Sequence, residues 1–171
     1  MDTPKVLYHG SLYKQNELMP GIKRSGELTV WDGVETNQNL YATTDPQEAA
    51  LLGIGSAAEK TFDTDRFIEL DGNIWLFTQT QIDINDFLEM VIYRYTIPVR
   101  PQDGWTKNNN PYNNIDTEWI TQKTIHGVKC EKLDIRKVMR GHTVTVTQAP
   151  VDVSLPEITT RYGSDTKVYK L

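Results

Sequence analysis

Three short stretches of this chain carry residue types that could do chemistry together. The first is Tyr8-His9-Gly10-Ser11. A histidine beside a glycine can present its ring while the glycine backbone lies close against a planar amide. The second, Leu40-Tyr41-Ala42-Thr43-Thr44, offers an aromatic ring that can stack on a flat ligand, with hydroxyls beside it. The third, Asp116-Thr117-Glu118-Trp119-Ile120, puts a carboxylate at the start of an apolar run, behind an Asn-rich loop. Aimed into a cleft, that carboxylate could stabilise positive charge on a ribose while a bond breaks. Each stretch also has a plain structural reading: a locally bonded histidine, a core tyrosine, a solvated glutamate on a sheet face.

The elements that must position these residues read mainly as strands. Val6, Leu7 and Tyr8 form a first strand that leaves into a turn at His9-Gly10, where glycine permits unusual backbone angles or close approach of a ligand. Residues 12–38 form a long polar loop with Pro20, Gly21, Gly26 and Gly33; its Leu18, Met19 and Trp31 suggest that parts of it fold back on the domain. Leu40–Thr43 is a second strand. Thr44-Asp45-Pro46 then opens a helix that Gly53 and Gly55 end. Phe67–Leu70 and Asn73–Thr78 flank Asp71-Gly72, the dipeptide of a two-residue hairpin turn. Asp83–Met90 reads as a short helix or turn, and Val91–Val99 as a core strand. A second polar loop, 100–117, precedes strands at Glu118–Thr121, Val128–Leu133 and His142–Thr147, with a helical turn at Asp134–Met139. The tail from Ala149 either wraps the surface or adds an edge strand.

The whole is 171 residues, with 18 Lys plus Arg against 23 Asp plus Glu, a net charge of −5. That length suits one domain over 1–171, with a core of about 4–140 and a C-terminal extension at 149–171. The acidic balance argues against a protein that grips nucleic acid through a broad basic face. The single cysteine, Cys130, excludes an internal disulfide, and no Cys/His cluster has zinc spacing, so no metal is expected. Met1–Val6 has no apolar core of a signal peptide, and no apolar run reaches the roughly 18 residues of a spanning helix, so a cytoplasmic protein without membrane partners is expected. Two long polar loops on a strand-rich frame indicate an α+β domain whose site lies between loops.

Other residues carry weaker signals. Arg94 and Arg100 bracket the central strand and its exit, and Arg100 could meet a phosphate, although a surface cation is the simpler reading. Trp105 and Tyr112 could stack on a base or anchor the second loop, which also holds Lys107. His126 and His142 lie in polar turns.

Taken in order, His9, then Tyr41 followed by a helix, then Glu118-Trp119-Ile120 resembles the ADP-ribosyltransferase superfamily of the His-Tyr-Glu type, the branch of diphtheria toxin and the poly(ADP-ribose) polymerases. Leu7–Ser11 looks like that family's first strand. Leu40–Thr43, with Asp45, Ala49 and Ala50, looks like its aromatic strand and following helix, and both pieces, with Pro20-Gly21 between them, are also similar to the small rifamycin ADP-ribosyltransferases. Glu118-Trp119-Ile120 resembles the Glu-Tyr-Ile strand of the polymerases. The resemblance implies a split β-sandwich of two small antiparallel sheets with few short helices, and NAD as substrate. It implies that His9 bonds the adenosine ribose, that the Gly10 backbone holds the nicotinamide amide with Ser11 also in the cofactor site, and that Tyr41 stacks on the nicotinamide ring. Thr43 would support the wall, and Glu118 would bind the 2′-hydroxyl of the nicotinamide ribose; Arg100, by its place after the central strand, is the candidate for a pyrophosphate or an acceptor phosphate. The rifamycin group has an aspartate after its central strand, so Asp103 is an alternative third residue; Glu118 is favoured. Position 116 is Asp, not Glu, which departs from the Glu-x-Glu pattern of arginine-modifying enzymes. The implied activity is cleavage of the nicotinamide N-glycosidic bond and transfer of ADP-ribose to an acceptor that is protein, nucleic acid or a small molecule. The alternatives are the same fold acting on nucleic acid or a modified nucleotide, as a 2′-phosphotransferase or base glycosidase, and a non-catalytic nucleotide-binding module.

Overall fold

The structure is a computed structural model that describes residues 3–21, 30–31, 34–35, 39–62, 64–68, 72–109, 117–148 and 166–171. In chain order the elements are β1 (Val6–Ser11), β2 (Val30–Trp31), β3 (Val34–Glu35), β4 (Leu40–Thr43), α1 (Pro46–Phe62), β5 (Thr64–Ile68), β6 (Ile74–Thr78), α2 (Ile84–Glu89), β7 (Val91–Pro98), a 3-10 turn at Pro101–Asp103, β8 (Thr106–Lys107), β9 (Glu118–Thr121), β10 (Lys129–Asp134), α3 (Ile135–Val138), β11 (Thr143–Gln148) and β12 (Thr166–Lys170). They build an α+β domain on two main sheets, one of six strands in the order β10-β7-β1-β4-β9-β8 and one of four in the order β12-β11-β6-β5. β2 and β3 pair with each other as a separate ribbon.

Every pairing in the large sheet is antiparallel. The small sheet is mixed, where two antiparallel sheets were expected: β11 runs parallel to β6. The reason is connectivity. The chain leaves β6, builds much of the large sheet, and returns by a long crossover, which delivers a strand in the same direction as its neighbour. β12 then pairs antiparallel with β11 as an edge strand. Val144 and Val146 of β11 are core residues, so the second sheet reaches past the residue-140 boundary expected for the core.

Two apolar clusters hold the domain together. One joins Ala50, Ile54 and Ala57 of α1 to Ile74 and Leu76 of β6, Phe87 of α2, Ile92 of β7 and Val144 of β11. The other lies against the large sheet and gathers Leu7, Ala42, Tyr95, Ile97, Trp105 and Trp119. Leu18, from the first long loop, is buried there and exchanges both backbone hydrogen bonds with Ile125, so this part of the loop does fold back; Met19 is exposed. Trp31 has no described side chain.

α1 starts where Asp45 caps it. Asp45 Oδ1 accepts from the amides of Gln47 (2.7 Å) and Glu48 (3.2 Å), and Pro46 follows at the first helical position. The expected stop at Gly53 and Gly55 does not occur, because the helix runs on to Phe62. Packing overrides propensity there. Gly53 lies directly over Gly10 of β1: a Cβ built on Gly53 would stand 3.0 Å from the Gly10 backbone, and one on Gly10 only 2.0 Å from the Ala49 carbonyl oxygen. The two glycines let a helix and a strand approach more closely than any side chain allows. β1 also continues through His9 and Gly10 to Ser11 instead of turning at them.

The remaining strands and turns lie near their expected positions. β5 and β6 pair antiparallel, but their last register pair is Ile68 with Ile74, so the connection is longer than two residues. Gly72 keeps the positive φ of a turn, at 93°, while Asp71 lies outside the described residues. α2 and α3 are capped by Asp83 and Asp134, whose side chains accept from Asn85 N and Arg136 N.

Candidate functional site

The candidate residues converge on the middle of the large sheet. Tyr8 of β1 pairs with Thr43 of β4, and Thr43 pairs with Glu118 of β9. Directly paired residues share a face of a sheet, and alternate residues along a strand share it too. Tyr41, Thr43 and Glu118 therefore lie on one face, the face that carries α1, because Thr43 bonds Glu48 of that helix. Tyr41 pairs with Ile120, which makes Tyr41 and Glu118 diagonal neighbours.

Glu118 is 8% exposed. Asn108, beyond the end of β8, donates Nδ2 to Glu118 Oε1 at 2.5 Å, and its amide donates to the Glu118 carbonyl. Tyr41 titrates above the ordinary tyrosine range. Burial is the largest cause, a hydrogen bond with the Asn39 side chain opposes it, and the negative charge of Glu118 adds to it. The site therefore holds a carboxylate beside a neutral phenol, with an amide fixing one carboxylate oxygen.

His9 enters from a different direction. β1 pairs with β7 along its whole length but with β4 only at Tyr8 and Thr43. Past that pair, His9 Nδ1 lies 2.7 Å from the Tyr41 carbonyl oxygen. A ring nitrogen thus stands in the split where a ladder N–H would otherwise be. By the pleat of β1 and β7, His9 shares its face with Tyr95, whose ring centroid is 6.2 Å away, and not with Glu118. Its hydrogen-bond contact with β4 is with the Tyr41 backbone, from the face opposite the Glu118 side chain.

The protonation of His9 follows from its partner. Burial pulls its pKa below 6.5, the Tyr41 carbonyl raises it, and the charge of Lys60 lowers it again. The imidazole is neutral near pH 7. A carbonyl oxygen can only accept, so Nδ1 carries the proton and Nε2 presents a lone pair. The group offered by His9 is an acceptor, suited to a hydroxyl donor.

Two participants were not singled out in the sequence. Glu48, in the first turn of α1, accepts through Oε2 from the hydroxyls of both Thr43 and Thr117, whose oxygens are 2.8 Å apart. This second carboxylate locks the helix start to the ends of β4 and β9. Its signal was an acidic residue three positions beyond a cap, which reads first as helix electrostatics. Lys60, near the end of α1, acts electrostatically on His9 and lies 5.2 Å from the centroid of the Tyr13 ring.

The other expected residues stand elsewhere. The Cα of Gly10 is covered by the Ala49 carbonyl, so α1 makes the close approach on that side of the strand. Ser11 accepts from Tyr13 N and Gln15 Nε2, which ties it to the loop. Arg100 is exposed at the exit of β7, and Arg94 is committed to Glu131 (2.8 Å) and the Pro46 carbonyl. Asp103 accepts from Arg100 N, while its carbonyl accepts from Thr121, at the opposite end of β9 from Glu118. Trp105 is a core residue, and Lys107 pairs with Trp119. Tyr112 and Asp116 lie outside the described residues. His126 pairs with Glu17 at the surface, and His142 packs over Gly72.

Among the described residues no three His, Cys, Asp or Glu side chains are placed to hold a metal, and no helix is long and apolar enough to cross a membrane. Comparison of the chain with protein-family models, with curated proteins and with solved structures finds no match.

Proposed function

We propose that this chain is an NAD-dependent ADP-ribosyltransferase. The observation that carries the reading is the diagonal pair Tyr41 and Glu118 on one face of the sheet, with the His9 ring bonded to the Tyr41 backbone carbonyl beside the single β1–β4 pairing. In this reading Nε2 of His9 accepts from a ribose hydroxyl, the Tyr41 ring stacks on nicotinamide, and Glu118 accepts from the 2′-hydroxyl of the adjoining ribose. As the C1′–N bond breaks, its electron pair goes to the nicotinamide nitrogen, which leaves neutral. The ribose gains oxocarbenium character, and the fixed carboxylate of Glu118 stabilises it; the acceptor then takes C1′ and loses its proton. Little proton transfer is needed before the bond breaks, so positioning and electrostatics supply most of the effect. Lys60, whose charge acts on His9, would serve the diphosphate, while Arg94 is committed to Glu131 and the Pro46 carbonyl.

The test is release of nicotinamide from NAD, measured with protein, nucleic-acid and small-molecule acceptors present in turn. Glu118→Gln keeps the shape and removes the charge, so it is expected to slow release by about 10²–10³-fold while NAD still binds in calorimetry. Failure of the unaltered protein to bind NAD or release nicotinamide would overturn the proposal. Binding without release in either protein would mark a non-catalytic nucleotide-binding module instead.

A further inference from the structure

On the other side of the large sheet from Glu118 lies a cavity of about 330 Å³ between the residues leading into β1 and those leaving β7. Its sidedness follows from Trp105, which lines it and packs with Leu7, Ala42 and Trp119, the residues that alternate with the Glu118 face. Pro4, Val99, Pro101 and Trp105 make its wall largely apolar, while Lys5 and Arg100 bring two cations to it. Among the described residues no acidic side chain lines the cavity, and neither cation makes an ion pair. The Asp103 carboxylate, close in sequence, is held by the Arg100 amide.

We propose that this cavity is a binding site for a small apolar carboxylate. The apolar walls take its body, and the planar guanidinium of Arg100 and the Lys5 ammonium take its charge. The volume is at the lower end of the range of small-molecule sites, which sets the ligand at about the size of a substituted benzoate. Arginine favours planar carboxylates because its two parallel N–H groups match two oxygens. The site is independent of the NAD reading.

Benzoate is the probe, and the readout is the Trp105 indole N–H resonance in ¹H–¹⁵N spectra, identified by its loss in Trp105→Phe. Benzoate is expected to move that resonance saturably. Arg100→Gln and Lys5→Gln, both at exposed positions, are expected to weaken the titration by about tenfold or more. Benzamide, the neutral analogue, and inorganic phosphate, which has no apolar body, are expected to move it much less. No saturable shift with benzoate would overturn the proposal. An equal response to benzamide would overturn the charge recognition, and an equal response to phosphate would overturn the apolar recognition. Unchanged benzoate affinity in both glutamine variants would also overturn it.

Discussion

Replacing Gly10 by alanine tests the contact that brings α1 to the site. The new Cβ would stand 2.0 Å from the Ala49 carbonyl oxygen and 2.8 Å from Gly53 N. Both are backbone atoms of a helix, so no side-chain rotation relieves the contact. Heavy atoms rarely approach a Cβ within about 3 Å, and the helix must therefore retreat by roughly 1 Å, opening the packing of Ala49, Ala50 and Ile54 beneath it. Overpacking of this kind costs about 1–3 kcal/mol. Loss of chain entropy in the unfolded state returns only ~0.4–1 kcal/mol. The expected net loss is about 1–2 kcal/mol, or roughly 3–8 °C in Tm for a domain of this size. Gly53→Ala makes the informative partner. Its Cβ meets Gly10 at 3.0 Å, a milder contact, and alanine gains about 1 kcal/mol of helix propensity, so the two effects nearly cancel. Urea and thermal unfolding of both variants give the comparison. Gly10→Ala as stable as the unaltered protein, or less harmful than Gly53→Ala, would refute the close-packing argument.

Three further outcomes are expected. His9 titrates below its ordinary value when folded, so the unfolded chain binds its proton first as pH falls. Its contribution to stability is present above pH 6.5 and declines as pH drops from there toward the folded pKa, and the difference in unfolding free energy between the unaltered protein and His9→Gln should show that acid loss. Glu48→Ala leaves the hydroxyls of Thr43 and Thr117 without their shared acceptor at a buried strand end and should cost about 1–3 kcal/mol in urea unfolding, with Glu48→Gln recovering part of it. Asp83→Ala removes the cap on α2, whose Phe87 and Leu88 are buried, and should lower stability by about 1 kcal/mol in thermal unfolding.

Much of the strand framework was legible because local pattern decides it. The β-branched and aromatic run of β7, the cap at Asp45 and the four-residue strand β9 lie where the residues themselves indicate. The length of α1 was not legible. Two glycines ordinarily weaken a helix, and only the presence of β1 beneath Gly53 turns them into a packing device. The parallel pairing of β11 with β6 was also hidden, since a strand's own pattern says nothing of the direction of its neighbour.

The candidate site divides in the same way. Residue type together with the order of the three motifs nominated His9, Tyr41 and Glu118, because an imidazole, a phenol and a carboxylate carry their chemistry wherever they stand. Their relation is tertiary. Register sets Thr43 against Glu118 and makes Tyr41 its diagonal neighbour. The single pairing of β1 with β4 opens the split that His9 fills. The same arrangement brings in Glu48 and Lys60, which local pattern assigns to an ordinary helix surface. Side-chain chemistry is a property of one residue and can be read from a chain. Which face it occupies, which proton it keeps and which charge lies beside it depend on contacts between residues tens of positions apart, and only the folded sheet decides those.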